Sequence, residues 1–226
     1  MTILDLTHPF EPEIPMFPGL PKPEVTEYWS RTATAAHYAA GTSFVVHRYA
    51  FVGNAGTYLD SPFHRYPDGV DLAGLPLERV VQLVGVVIDV RWSVARGQLA
   101  IGPERFRGLD LRGKAVLVCT GWDRYWGSER YLAANPHLTR QAAERFVSAG
   151  VALVGIDSWN VDDVADRVRP VHSVLLAAGI PIVENLCNLT ALIGKRFRFH
   201  AAPIPIRGGS AVPVRAYAVL NAVAER

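Results

Sequence analysis

Apolar and polar positions along the chain follow two rhythms. Largely apolar runs rich in Val, Ile and Leu fall at residues 80–90, 114–119, 151–156 and 180–183, near Gly, Pro or charged residues. Runs this short and this apolar predict buried strands. Residues 2–6, 44–52, 197–206 and 214–220 are also rich in strand formers. The helical rhythm is rarer. Ala142, Ala143, Phe146 and Val147 form an apolar stripe over 140–149, with Thr139 placed as N-cap and Gly150 as stop. A second helix is predicted over 171–178, between Pro170 and Gly179, and a third over 186–193, capped by Asn185 and closed by Gly194. Pro9, Pro12, Pro15, Pro18, Pro21 and Pro23 leave an extended arm after the first strand. The pattern therefore predicts a single α/β domain with a mixed β-sheet over residues 1–226, in which residues 1–35 carry an N-terminal strand and the arm. No repeat and no linker divides it.

Composition narrows the partners. A chain of 226 residues buries roughly 70–75% of its unfolded surface without staples. Half its residues are hydrophobic, 19% are charged, and the net charge of +2 is spread without a basic run. That balance argues against nucleic acid and membrane surfaces as partners. The two cysteines, Cys119 and Cys187, form no paired motif, so a reduced, cytoplasmic setting with buried, inert thiols is expected. No stretch approaches the length of a membrane span. Met16, Phe17 and Trp29 put large apolar groups on the arm, which then needs the subunit body or a second subunit to lie on.

Candidate chemistry concentrates in Gly53-Asn54-Ala55-Gly56-Thr57-Tyr58-Leu59-Asp60-Ser61-Pro62-Phe63-His64. In an extended chain Asn54, Gly56, Tyr58 and Asp60 share one face, with Gly56 leaving room between polar neighbours. Pro62 cannot continue a ladder, so the chain should turn there and bring His64 back toward Asp60. An acid and a base so placed suit proton transfer or shared metal ligation, whereas the bland alternative is a polar strand end followed by a turn. Most of Asp157, Asp162 and Asp163 read as turn and capping groups. His8, His37, His47, His137 and His200 have no ligand-like spacing and are expected to be structural or solvent-facing. No nucleophile elbow and no phosphate loop is present.

The string N-x-G-T-Y-x-D-x-P-x-H resembles the metal-binding frame H-x-G-T-H-x-D-x-P-x-H of the cyclase family, which includes bacterial kynurenine formamidases and isatin hydrolases. The resemblance extends to Ile3-Leu4-Asp5-Leu6-Thr7-His8-Pro9, Leu117-Val118-Cys119-Thr120-Gly121-Trp122-Asp123, Gly155-Ile156-Asp157-Ser158, Pro170-Val171-His172-Ser173, Ile182-Val183-Glu184-Asn185-Leu186 and Pro213-Val214-Arg215-Ala216. It implies a swivelling β/β/α-like fold and a metal-dependent, arylformamidase-like hydrolase or cyclase. The substrate implied is a small molecule, cyclic or aromatic, with an amide or ester carbonyl, and the strand-end loop carrying Asp157, Asp162 and Asp163 resembles one near the substrate site in the family.

In the family the two leading histidines and the aspartate hold one metal. The aspartate, a later histidine and a glutamate hold a second, and the last motif histidine shuttles protons. Asp60, His64, His172 and Glu184 match these positions as catalytic residues; Asn54 and Tyr58 stand where the leading histidines would be. The resemblance thus implies one divalent metal, Zn or Mn, held by Asp60, His172 and Glu184. It implies His64 as proton shuttle, substrate contacts from Asn54, Thr57, Tyr58 and Phe17, and a homo-oligomer, dimer or tetramer. Two alternatives stay open: a metal-free enzyme in which Asp60 and Glu184 crowd each other and raise one carboxyl pKa, and a non-catalytic small-molecule-binding protein.

Overall fold

Strands covered on both faces must be apolar at every position, and the shortest apolar runs of the chain obey this. In the computed structural model, which describes residues 2–220, the strands in chain order are β1 (Thr2–Asp5), β2 (Glu24–Trp29), β3 (Val46–Ala50), β4 (Tyr58–Asp60), β5 (Leu83–Asp89), β6 (Ala100–Ile101) and β7 (Ala115–Cys119). There follow β8 (His137–Leu138), β9 (Leu153–Ile156), β10 (Ile182–Glu184), β11 (Phe197–His200), β12 (Ala211–Pro213) and β13 (Tyr217–Leu220). Nine of them form one sheet in the order β1-β13-β11-β5-β7-β9-β10-β4-β12. β5, β7, β9 and β10 run parallel at its centre. Antiparallel strands flank them, β11 and β13 on one side and β4 and β12 on the other, so the sheet is mixed as expected.

Successive residues of the central strands feed opposite cores. Val116, Val118, Val154 and Ile156 pack with Phe106, Phe146 and Leu175. Ala115, Leu117, Leu153 and Val183 pack with Leu6, Leu59, Phe197 and Phe199. The first layer holds α4 (Arg140–Ala149) and α5 (Pro170–Ala177), which follow the short α1 (Arg31–Ala35), α2 (Arg91–Ala95) and α3 (Glu129–Ala133). α4 forms as its sequence dictates: the Thr139 hydroxyl accepts the Ala142 N–H, and Gly150 closes the helix at a φ of +70°.

Several boundaries differ from expectation. The strand predicted over 80–90 starts at Leu83, after Gln82 takes a positive φ of 56°. The one predicted over 197–206 ends at His200. No α-helix forms over 186–193; a single 3-10 turn spans Leu189–Leu192. Asn185 and Asn188 adopt positive φ there, and Leu186 is pinned in a bridge to Thr7, so the start of that segment is tied to the sheet. The arm is also more ordered than predicted: β2 pairs with β3 in an outlying two-stranded ribbon whose residues are mostly exposed. Among the described residues no helix is long and apolar enough to cross a membrane.

Candidate active site

β4 is a three-residue strand held between β10 and β12, and this register builds the site. Asp60 lies opposite Ile182 and Ala211, and Tyr58 opposite Glu184 and Pro213. Cross-strand partners face each other on one side of the sheet, and the Tyr58 phenol accordingly donates to Glu184 Oε2. The segment before β4 is bent rather than extended. Gly56 takes a φ of +65°, and a Cβ on Gly53 would collide with the Ala211 carbonyl, so both glycines are required where the chain curls beside β12. The curl still turns Asn54 inward, where its amide donates to Asp60 Oδ1 at 3.0 Å. Pro62–His64 then forms a 3-10 turn and returns His64 Nδ1 to within 3.6 Å of Asp60 Oδ1, as the sequence predicts.

His172 arrives from the first turn of α5. Its Nε2 stands 3.7 Å from both Asp60 Oδ2 and Glu184 Oε1, and its ring centroid is 5.9 Å from that of His64. Asp60, His172 and Glu184 are all buried, while His64 keeps an exposed edge. Asn54, Tyr58, Asp60, His64, His172 and Glu184 therefore converge. The other two expected substrate contacts, Thr57 and Phe17, have partners outside this group. The Thr57 hydroxyl donates to the Asn185 carbonyl at 2.5 Å and accepts the His8 N–H, so it ties loops together and lines a separate cavity of about 420 Å³ with Asp5, His8, Phe10 and Arg215. Phe17 is partly exposed on the arm, its ring 5.7 Å from that of Trp159.

Burial and charge act against each other here. Burial alone would lower the His172 pKa, but the hydrogen bond the ring gives to Asp162 and the Asp60 and Glu184 carboxylates outweigh it and raise the value to about 9. Burial, assisted by Asp60, raises Glu184 above the usual carboxylate range against the pull of His172. Burial, then Glu184 and Asp60, pushes Tyr58 well above an ordinary phenol, so it stays a donor. Burial likewise lifts Cys119 and Cys187 to about 12, which keeps both as thiols.

The resemblance implies a metal, and the residues present fit one ion. The ligand atoms of Asp60, His64 and His172 lie within 4.8 Å of one another, and Asp60 Oδ2 is buried without a hydrogen-bond partner. Two imidazoles and a carboxylate are a sound set for a catalytic cation. The cluster differs from the expected Asp60, His172 and Glu184: Glu184 gives Oε2 to the Tyr58 phenol and Oε1 to the Val161 N–H at 2.6 Å. Asn54 and Tyr58 act as donors to the carboxylates beside them, where imidazoles at the same positions would face a cation. Asp162, whose local context reads as a turn or capping residue, also enters the site, 2.6 Å from His172 Nδ1; only the resemblance of its loop to one near the family's substrate site pointed this way.

Known proteins share this architecture along nearly its whole length. The chain is 30% identical to the kynurenine formamidase of Salinibacter ruber, covering 96% of each protein. Its fold matches isatin hydrolase A from Ralstonia solanacearum with a TM-score of 0.83 at 23% identity, over 97% of this chain and 92% of that one. It also matches a Bacillus stearothermophilus protein described as a predicted metal-dependent hydrolase, with a TM-score of 0.74 at 22% identity, over 96% of this chain and 97% of that one. Residues 4–163 match the Cyclase family, and the chain belongs to that family.

Proposed function

We propose that the protein is a hydrolase of non-peptide carbon–nitrogen bonds that cleaves a small aromatic amide, as an arylformamidase does, with one divalent ion, Zn or Mn, held by Asp60, His64 and His172. The observation that carries this reading is the convergence of those three side chains around a buried, unpartnered Asp60 oxygen. Kinship with kynurenine formamidases supports the substrate class. The ion, when bound, supplies a Lewis acid for the carbonyl. Asn54 and Tyr58 orient the two carboxylates by donating to them. Glu184, with its raised proton affinity, accepts and returns a proton beside the reacting carbonyl.

One observation favours a second arrangement of the same site. His64 is the member of the cluster with an exposed edge, which suits a proton shuttle to solvent, with Glu184 then replacing it as ligand. Both arrangements rest on one experiment: elemental analysis of the purified protein before and after chelation, together with hydrolysis of N-formylated arylamines. Retained turnover after the metal is stripped would overturn both. We further propose a homo-oligomer with the arm at the subunit contact, since Tyr28, Trp29 and Tyr49 of the ribbon are exposed. Small-angle scattering giving a monomeric mass would refute it.

A further inference from the structure

Asp162 is fully buried in the loop after β9, and both of its carboxylate oxygens are engaged. Oδ1 accepts the Val171 N–H at 2.6 Å; Oδ2 accepts the His172 N–H at 3.1 Å and stands 2.6 Å from His172 Nδ1. The loop holding it is fixed in turn. The Asp162 N–H donates to Asn160 Oδ1, and the buried Asn135 amide donates to the carbonyls of both Asn160 and Asp162. Arg169 closes the other side, its Nε 3.5 Å from Asp162 Oδ2. Its Nη2 is 3.3 and 3.2 Å from the two ring nitrogens of His172, nearly equidistant, as for a cation over the ring and unlike one in line with a single nitrogen.

We propose that Asp162 is the positioning residue of His172, fixing the tautomer that presents Nε2 to the metal position. A carboxylate only accepts, and both Asp162 oxygens already take backbone N–H groups, from Val171 and His172. The proton of the short contact therefore sits on Nδ1. Nε2 is left turned toward Asp60 Oδ2 and Glu184 Oε1. Pairing of a ligating imidazole with a carboxylate through its second nitrogen is how metal sites set ring orientation and ligand basicity. This inference rests on the metal reading proposed above.

The competing role is a cap. Arg169 holds the N-cap position of α5 in a left-handed conformation and gives no side-chain cap, so Asp162 satisfies two backbone N–H groups of the first turn. Asp162→Asn separates the roles. An amide has one acceptor oxygen where the carboxylate uses two, so its NH2 meets N–H groups in either orientation. Toward His172, the conflict is relieved only if the ring moves its proton to Nε2, the nitrogen the ion needs.

The test is titration of the metal-stripped protein with Co2+, followed by visible absorption, for wild type and Asp162→Asn, with thermal unfolding as a check on the fold. Affinity should fall about 10- to 100-fold, and kcat should fall while KM holds. A variant that loses stability yet binds cobalt as tightly as wild type would show that Asp162 is only a cap and would overturn the inference alone. Wild type that takes up no cobalt would defeat the metal reading and this inference with it. If Asp162→Asn does not fold, the 15N spectrum of zinc-loaded wild type decides. A protonated Nδ1 with zinc on Nε2 of His172 supports the assignment, and zinc on Nδ1 refutes it.

Discussion

His172 and His8 are both buried histidines near β4, and their chemistry is opposite. His172 lies among Asp60, Asp162 and Glu184, and these carboxylates overcome burial to raise its pKa to about 9. His8 lies flat on Trp126, 3.9 Å between centroids, with Nε2 buried and unpartnered; burial lowers its pKa to about 4 against a weak pull from Asp123. Depth below the surface does not separate the two. The partners do: carboxylates from three different chain segments around one ring, an indole face against the other.

The contrast is broken most severely at Asp60, the carboxylate that faces both His64 and His172. Asp60→Ala should lower turnover on the order of 10,000-fold and abolish metal uptake; metal content equal to wild type by elemental analysis would remove Asp60 from the ligand set. His64→Ala should cost on the order of 100- to 10,000-fold in rate, and its metal content sharpens the assignment. Loss of the ion with loss of activity identifies a ligand, whereas a full complement with lost activity identifies the shuttle. Tyr58→Phe removes the donor on Glu184 Oε2 and leaves a buried acceptor unpaired. It should cost about 1–3 kcal/mol of stability, measured by denaturant unfolding, and about tenfold in rate.

The smallest effect belongs to His8. Because its folded value lies below the ordinary 6.5, the stability it supports is complete above that pH and is lost as pH falls from 6.5 toward 4. After allowance for solvent screening the loss amounts to roughly 2 kcal/mol. His8→Phe, which keeps an aromatic ring against Trp126, should flatten the unfolding free energy over that window, and an unchanged slope would assign the acid sensitivity to other groups.

How much of this was legible in the sequence varies by element. The runs that became β7, β9 and β10, and the Thr139 and Gly150 ends of α4, are local signals and were read correctly within a residue or two. The return of His64 to Asp60 was legible because Pro62 forces the turn. β3 falls inside the strand-rich stretch 44–52, but its partner β2 was hidden in the arm because the ribbon is largely exposed and β2 lacks the apolar alternation that marks a half-buried strand. The Tyr58–Glu184 pair depends on antiparallel register between strands far apart in the chain, which no local pattern encodes. Asp162 was recognised as a cap and missed as the partner of His172, since a carboxylate suited to one task is suited to both.

The position of β4 in the sheet has a consequence for how the protein is made. Residues 54–64 leave the ribosome more than a hundred residues ahead of the strands that flank β4, Ile182–Glu184 and Ala211–Pro213. Until then the motif has no ladder to join, and its apolar and acidic residues wait in an unfinished chain. Pairings this distant in sequence form slowly and leave strand edges open to the wrong neighbours. A chain cut just before residue 211 would carry Asp60, His64, His172 and Glu184 and still lack the strand against which the motif folds.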